Sequence, residues 1–429
     1  MTAILPPSTV SAARAPQLRT YAGAASLGLF FITSFATQFL FSDGGPDTAA
    51  TLRVIAAGPG TAIAWGWIML ALAALWLGGV LFLAGATRGR GSGWGAAGTL
   101  AGILGTVGIT LIGMHALTAA ALAQTPLDGA AATLQALDGA AGWFIFPLMT
   151  CQMLAVALFA LSLWRQGTVH RWVAAAGCAA VVVSALPWTF SGPAALGLGL
   201  ASLGVGTGAV IRLRRAAGWV EAPAQAYRVW AGAACAVGLL VLSILKDALF
   251  AGADDPDAAL AAVGSHPVPL VVEGVMALGV AALFAGTTAF FVGSVRGRGS
   301  GLAAAGGVLG IVGSVSIASM GALDFLTAAL GVSGAGTGVF GPLAGILFPA
   351  FMPLFLAENL MLVAFAAALW RSGVTAWVPF ALSLVFAAVA QVHPVGPVAL
   401  AQMALGLVVA GWLAYRILRS RGLWPRRVD

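Results

Sequence analysis

The sequence predicts an all-α integral membrane protein of about twelve transmembrane helices, built as two parallel six-helix repeats with both termini in the cytoplasm. Three observations support this fold class: an apolar composition, a separation of arginine from aspartate along the chain, and motifs that recur in the same order in both halves. Of the 429 residues, 60% are hydrophobic and 8% are charged, and the mean hydropathy is +1.00. A soluble domain carries about 25% charged residues, so lipid is the expected solvent.

Twelve hydrophobic runs are long enough to cross a hydrocarbon core about 30 Å thick. In the first half they are Tyr21–Ser42, Thr61–Ala86, Trp94–Ala123, Ala140–Trp164, Trp172–Phe190 and Pro193–Arg212. In the second half they are Val229–Phe250, Val268–Gly293, Leu302–Gly331, Ala344–Trp370, Val374–Gln391 and Pro397–Arg416. We therefore divide the chain into an N-terminal tail (1–20), a first repeat (21–215), a linker (216–226), a second repeat (227–421) and a C-terminal tail (422–429). No apolar stretch precedes Tyr21, so no cleaved signal peptide is expected.

Arginine placement gives the orientation of the predicted helices. With a cytoplasmic N-terminus, every arginine except Arg53 falls in a segment on the cytoplasmic side. The opposite loops carry aspartates, namely Asp43, Asp47, Asp128, Asp138, Asp254, Asp255 and Asp257. This distribution follows the positive-inside rule, which one missed or extra span would disrupt. A single lysine beside abundant Ala, Gly and Arg is typical of a bacterial protein, so we expect a bacterial cytoplasmic (inner) membrane location.

Short motifs occur twice, in the same order, in corresponding parts of the two halves. The pairs are Arg88–Gly93 with Arg296–Gly301, Leu163–Arg165 with Leu369–Arg371, Pro147 with Pro353, and Gly192-Pro193 with Gly396-Pro397. This correspondence indicates an internal duplication. Because each copy contains an even number of spans, the copies are expected to be parallel and related by an axis along the membrane normal.

Two six-helix halves with a basic Gly-Arg turn after the second span of each resemble the plan of the major facilitator family. Gly85-Ala-Thr-Arg88-Gly-Arg90-Gly91 is similar to the loop signature of that family, although its acidic residue is missing here. The linker between the halves is also shorter than usual for the family. The resemblance covers architecture, and no residue roles follow from it.

Ionisable side chains inside predicted spans are the candidate functional residues, because a charge in the bilayer is costly. Five occur, all in the second half: Lys246, Asp247, Glu273, Asp324 and Glu358. Aligning the halves places other groups opposite them: Thr37 and Gln38 for Lys246 and Asp247, Gly66 for Glu273, His115 for Asp324, and Gln152 for Glu358. The predicted duplication is therefore chemically asymmetric, since only one copy carries charge within its spans.

Depth in the membrane separates these five candidates. Glu358 falls near mid-membrane, where it must be protonated, paired or exposed to a hydrated cavity. The other four fall in the outer third of their spans, where side chains reach the interface or a hydrated vestibule. A carboxyl group that loads and releases a proton is what a proton-coupled transporter requires. For Lys246, the alternative is an ion pair with Asp247 or Glu273 that fixes helix packing.

Other kinds of site are weakly represented in the sequence. Cys151, Cys178 and Cys235 lie singly in apolar runs, which predicts neither a disulfide framework nor a metal site. His115 is the only histidine inside a span, so a haem held by two histidines lacks a ligand. There is no phosphate-binding glycine loop and no serine–histidine–acid cluster typical of a hydrolase. The formal charge of +7 is spread between apolar runs, so no nucleic-acid partner is expected.

The sequence favours a proton- or cation-coupled secondary transporter of an unidentified small solute. In this hypothesis Glu358 carries the proton, and Asp324, Glu273 and Lys246 shape the outer approach to a path between the halves. Two alternatives stay open: a non-catalytic membrane sensor, scaffold or complex subunit, and a membrane-embedded enzyme acting on lipid or quinone. No catalytic residue, metal or cofactor is predicted, and the lipid bilayer is the expected partner.

Overall fold

The computed structural model describes residues 21–34, 47–87, 91–184, 204–211, 226–249, 266–295, 298–333, 340–391 and 397–423. Within these ranges the regular structure is helical and no strand occurs. The helices of the first half are α1 (Tyr21–Ser34), α2 (Thr48–Ala57), α3 (Pro59–Ala86), α4 (Ser92–Leu122), α5 (Leu127–Arg165), α6 (Arg171–Ser184) and α7 (204–211). Those of the second half are α8 (Ala226–Leu249), α9 (Val268–Ser294), α10 (Ser300–Ser333), α11 (Phe340–Arg371), α12 (Val378–Ala390) and α13 (Pro397–Ser420).

Eight of the described helices are long and apolar enough to cross a membrane: α3, α4, α5, α8, α9, α10, α11 and α13. The prediction of a helical, multi-pass membrane protein is therefore confirmed. The count of twelve spans, the duplication and the orientation stay predictions. The eleventh predicted span, Val374–Gln391, is helical only over α12, whose thirteen residues extend about 20 Å and fall short of the hydrocarbon core.

Two helical segments lie where the sequence predicted loops. Asp47, expected in an outer loop, caps α2, and its Oδ1 accepts a hydrogen bond of 2.6 Å from the Ala50 N–H. Helix α5 begins at Leu127, well before the predicted start of its span at Ala140, so Asp138 lies on a helix and not in a loop. The intervening segment is rich in alanine and leucine, which are strong helix formers outside the membrane as well as within it.

Tight glycine turns join the helices at one end of the molecule. Gly91 and Gly299 precede α4 and α10 with φ of 84° and 90°, and Gly167 and Gly373 follow α5 and α11 with φ of 70° and 75°. Glycine adopts this left-handed backbone at little cost, which explains its use at these four positions. We refer to this end as the arginine end, because it carries Arg165, Arg171, Arg298, Arg371 and Arg416. The opposite end, where α4 joins α5, is referred to as the acidic end.

Helix α4 of the first half and helix α10 of the second half contact each other where the two halves meet. Each also packs against its sequence neighbours, α3 and α5 for α4, and α9 and α11 for α10. Trp76 of α3 is fully buried against α4, and its indole N–H donates a 2.9 Å hydrogen bond to the Gly102 carbonyl. One large apolar core fills the first half and extends onto α10 through Val315 and Leu326, and a second core fills the rest of the second half.

Candidate functional site

Three of the predicted ionisable residues come together near the acidic end. Lys246 lies in the last turn of α8, and its Nζ donates a 3.1 Å hydrogen bond to Glu273 Oε1 on α9. Asp324 of α10 lies close enough to interact electrostatically with both Glu273 and Lys246. The Lys246 and Glu273 side chains are only 25% and 18% exposed. The pairing of Lys246 with Glu273, one of the two alternatives predicted from the sequence, is therefore observed.

Glycine brings α9 and α10 close together beside this acid–lysine cluster (Lys246, Glu273 and Asp324). A Cβ atom on Gly274 would stand 3.0 Å from the Gly321 carbonyl oxygen, and one on Gly321 would stand 2.9 Å from the Gly274 carbonyl oxygen. Any larger residue at either position would separate the two backbones. The close approach places the two carboxylate-bearing helices around one lysine.

The acid–lysine cluster has one more acidic group than basic groups. Lys246 offsets the charge of one carboxylate, and its partly buried contact with Glu273 supplies the partner that a charge near lipid requires. Asp247 is the next residue of α8, but its side chain lies outside the described residues. The arrangement is suited to fixing α8 against α9 and to holding a polar patch at the acidic end.

The first half has an acid–base contact of its own at the acidic end. His115 Nε2 of α4 donates to Asp138 Oδ1 of α5 at 2.9 Å, and the two side chains are 29% and 50% exposed. Sequence alignment matched His115 with Asp324 and placed Asp138 in a loop. The helical extension of α5 gives His115 an acidic partner that the sequence reading missed. The alanine- and leucine-rich composition before Gly139 favours a helix, and a helix there would have predicted this contact.

Glu358 lies apart from the acid–lysine cluster, about 20 Å along α11 from its end at Arg371. It packs on Gly313 of α10: a Cβ there would stand 3.0 Å from Glu358 Cγ and 3.1 Å from Glu358 Cα. The buried Ser316 hydroxyl lies about one turn along α10, near the Glu358 carboxyl group. No described Lys, Arg or His side chain forms an ion pair with Glu358.

Gln152, the predicted counterpart of Glu358, packs in a similar way in the first half. A Cβ on Gly105 of α4 would stand 2.7 Å from Gln152 Cα on α5. The Gln152 side chain is 6% exposed, and its Oε1 has no hydrogen-bond partner in the described part of the chain. We refer to the two contacts, Gly105 with Gln152 and Gly313 with Glu358, as the glycine notches. One notch holds an amide and the other a carboxyl group.

Of the other first-half residues that the sequence matched with the ionisable candidates, only Gly66 lies among the described residues. Thr37 and Gln38 lie outside the described residues. Gly66 was matched in sequence with Glu273. A Cβ added to Gly66 would stand 3.0 Å from the Gly113 carbonyl oxygen, as one on Gly274 would from that of Gly321. The contacts of Gly66 and Gly274 are alike, and the matching of Gly66 with Glu273 stays a prediction.

The described contact between the halves is apolar. Leu77 and Ile103 of the first half meet Ala285 of α9 in a buried cluster, with Leu81 and Ile311 packed around it. Two grooves on the molecule are lined by other residues, one between α10, α11 and α12 and one between α5 and α6, and Glu358 lines neither. Helices α4 and α10 also contact each other across this boundary.

No group of three or more His, Cys, Asp or Glu side chains within the described ranges is arranged to hold a metal ion. Cys151, Cys178 and Cys235 are present as free thiols. No protein family, no curated protein and no solved structure matches this chain.

Proposed function

We propose that this multi-pass membrane protein is a proton- or cation-coupled secondary transporter of a small solute, with Glu358 as the group that binds and releases the proton. The acid–lysine cluster would shape the approach from the acidic end. Gln152 would occupy the matching position in the first half without exchanging a proton, since an amide does not ionise in the physiological range.

The position of Glu358 carries this proposal. The residue lies near the middle of α11, in a glycine notch, with the Ser316 hydroxyl nearby and no described basic side chain paired with it. A carboxylate without a cationic partner is costly in lipid. The protonation state of Glu358 therefore depends on its hydration. Any opening of the space between the halves would change whether its carboxyl group is protonated.

Movement of one half against the other would provide alternating access, as in transporters built from two parallel repeats. Several local geometries support the duplication that this requires. The two glycine notches correspond, and so do the left-handed turns at Gly91 and Gly299. The Gly66 contact with Gly113 likewise corresponds to that of Gly274 with Gly321.

We place both termini in the cytoplasm of a bacterium, with the arginine end on the inner face of its membrane. The arginines at the C-terminal ends of α5, α11 and α13 support this orientation, because positively charged segments are retained on the cytoplasmic side. A cysteine substituted at Ser372, in the turn after α11, would then react with an impermeant thiol reagent only after the cells are opened.

The second candidate function is a non-catalytic sensor, scaffold or subunit of a larger complex. The apolar contact of Leu77, Ile103 and Ala285 between the halves favours it, because a static protein needs no polar path there. The Lys246–Glu273 pair fits this candidate equally well, since an ion pair of this kind can fix the packing of two helices.

Proton movement in proteoliposomes distinguishes the two candidates. Vesicles containing the protein and a trapped pH-sensitive dye would be exposed in turn to a panel of sugars, amino acids, organic acids and cationic drugs. We expect at least one solute to drive proton movement that Glu358→Gln abolishes. The matched control Asp47→Asn, at the exposed N-cap of α2, should retain it.

Infrared absorption of carboxyl groups supplies a test that needs no solute. The difference between acidic and alkaline buffers should contain a band that disappears in Glu358→Gln and persists in Glu273→Gln. Absence of that band, together with no response to the panel, would remove Glu358 as a proton carrier and leave the second candidate.

A further inference from the structure

An apolar groove of about 440 Å³ runs along the outer surface of the second half. Leu302 and Leu309 of α10 form one wall, Leu360 and Ala367 of α11 form another, and Phe380 of α12 contributes at the arginine end. The groove is open to the surroundings of the molecule and faces away from the first half. Because α10 and α11 cross the membrane, those surroundings are lipid.

Where the groove reaches the arginine end of the molecule, its lining has a single charged residue. Arg371, in the last turn of α11, is exposed and is the only ionisable residue in the lining. Trp370 lies beside it and stacks on Phe380, with ring centroids 5.4 Å apart and an interplanar angle of 16°. Tryptophan and arginine at the end of a membrane helix are typical of the depth of the lipid headgroups.

The length of the groove matches one leaflet of a bilayer. From Leu360 to Arg371 the α-helical rise is about 16 Å, which is close to half of a hydrocarbon core of about 30 Å. A single acyl chain of the leaflet at the arginine end would therefore run from the headgroup level to mid-membrane within the groove. The guanidinium of Arg371 would stand where the phosphate of that lipid lies.

We propose that the groove between α10, α11 and α12 is a binding site for one anionic phospholipid. Its acyl chain packs against the leucines of α10 and α11, and its phosphate accepts hydrogen bonds from Arg371. An arginine guanidinium suits this contact because its planar fork can donate two parallel hydrogen bonds to a phosphate. Net negative headgroup charge favours binding further, since the arginine end is basic.

The first half offers a comparison within the same molecule. A groove of about 220 Å³ lies between α5 and α6, with Trp164 and Arg171 at the arginine end and Cys178 deeper. It has half the volume of the α10–α12 groove, and Arg171 lies over the ring of Trp172 at 5.5 Å from its centroid. The smaller space and the engaged guanidinium make this groove the weaker site, so Arg171 is the matched control.

Native mass spectrometry of the full-length protein in detergent tests the proposal. Phosphatidylglycerol and phosphatidylcholine with identical acyl chains would be titrated separately. We expect one phosphatidylglycerol to bind more tightly than any phosphatidylcholine, and Arg371→Gln to weaken it by about tenfold, as loss of a charge-assisted contact to phosphate predicts. Arg171→Gln should leave the affinity unchanged. Arg371→Lys, which keeps the charge and loses the bidentate fork, should weaken binding less than Arg371→Gln does.

A second variant tests the apolar part of the site independently of charge. Leu309→Trp fills the groove from a partly exposed position on α10, and should displace the bound lipid without unfolding the chain. Equal affinity for the two headgroups, equal effects of Arg371→Gln and Arg171→Gln, or undiminished binding by a folded Leu309→Trp would each overturn the proposal. Size-exclusion chromatography of every variant confirms that it is folded before the titration.

Discussion

Replacement of Gly313 by alanine should loosen the packing of α10 against α11 at the Glu358 notch. The added Cβ would stand 2.9 Å from Phe284 Cε1, 3.0 Å from Glu358 Cγ and 3.1 Å from Glu358 Cα. Carbon atoms in contact prefer a separation of about 3.5–4.0 Å. The two side chains can turn aside, but the Glu358 Cα belongs to the backbone, so α11 itself must shift by several tenths of an ångström.

The magnitude follows from two opposing effects. Overpacking of a filled interior costs about 1–3 kcal/mol. Alanine also stabilises a helix relative to glycine, by about 0.5–1 kcal/mol. Gly301, in the first turn of the same helix, has nothing within 4 Å of its added Cβ, so Gly301→Ala reports the helix effect without the contact. The difference between the two variants therefore isolates the packing cost.

Thermal unfolding in detergent, followed by tryptophan fluorescence, measures this difference. At about 2 °C per kcal/mol for a long chain, Gly313→Ala should unfold about 2–6 °C below Gly301→Ala. If the two variants unfold within about 1 °C of each other, then α10 and α11 are not in contact at Gly313, and the position assigned to Glu358 is wrong.

Two further perturbations test the packing of the helices. Lys246→Met removes the one base of the acid–lysine cluster and leaves Glu273 beside Asp324, so it should lower the stability in a dodecyl sulfate titration by about 1–3 kcal/mol. Glu273→Gln should cost less, because Lys246 keeps Asp324 as a neighbour; equal losses would argue against the cluster. Trp76→Phe removes the hydrogen bond to the Gly102 carbonyl and leaves a void, with an expected loss of about 1–3 kcal/mol; an unchanged midpoint would mean that the indole contributes nothing to the α3–α4 contact.

The long spans could be predicted from the sequence because hydropathy reflects the solvent directly. The third predicted helix, Trp94–Ala123, is observed as Ser92–Leu122, and the eighth, Val268–Gly293, as Val268–Ser294. Helices outside the hydrocarbon lack that signal, since their faces meet water on one side and protein on the other. The early start of α5 was missed for this reason, and with it the contact of Asp138 with His115.

The Lys246–Glu273 contact was predictable from residue type and from position along the helices. A lone lysine near the end of one span had to meet an acid at the same end of another, and Lys246 does contact Glu273. The notch beneath Glu358 was not predictable, because a glycine-rich helix gives no periodic signal for the face that its neighbour covers. Which helix face contacts which neighbour is decided by three-dimensional packing.

At each glycine notch, the glutamine of one half and the glutamate of the other can be exchanged by a single substitution. In both notches, the closest atoms of the facing residue are its backbone and its Cβ or Cγ, which glutamine and glutamate share. The two residues can therefore replace each other without moving the helices. Glu358→Gln then yields a molecule with two amides, and Gln152→Glu one with two carboxyl groups. Together with the natural chain they form a graded series that holds none, one or two titratable groups at equivalent positions. If Glu358 carries the proton as proposed, counting protons per turnover along this series would reveal whether a second carrier adds to the stoichiometry or only duplicates the first.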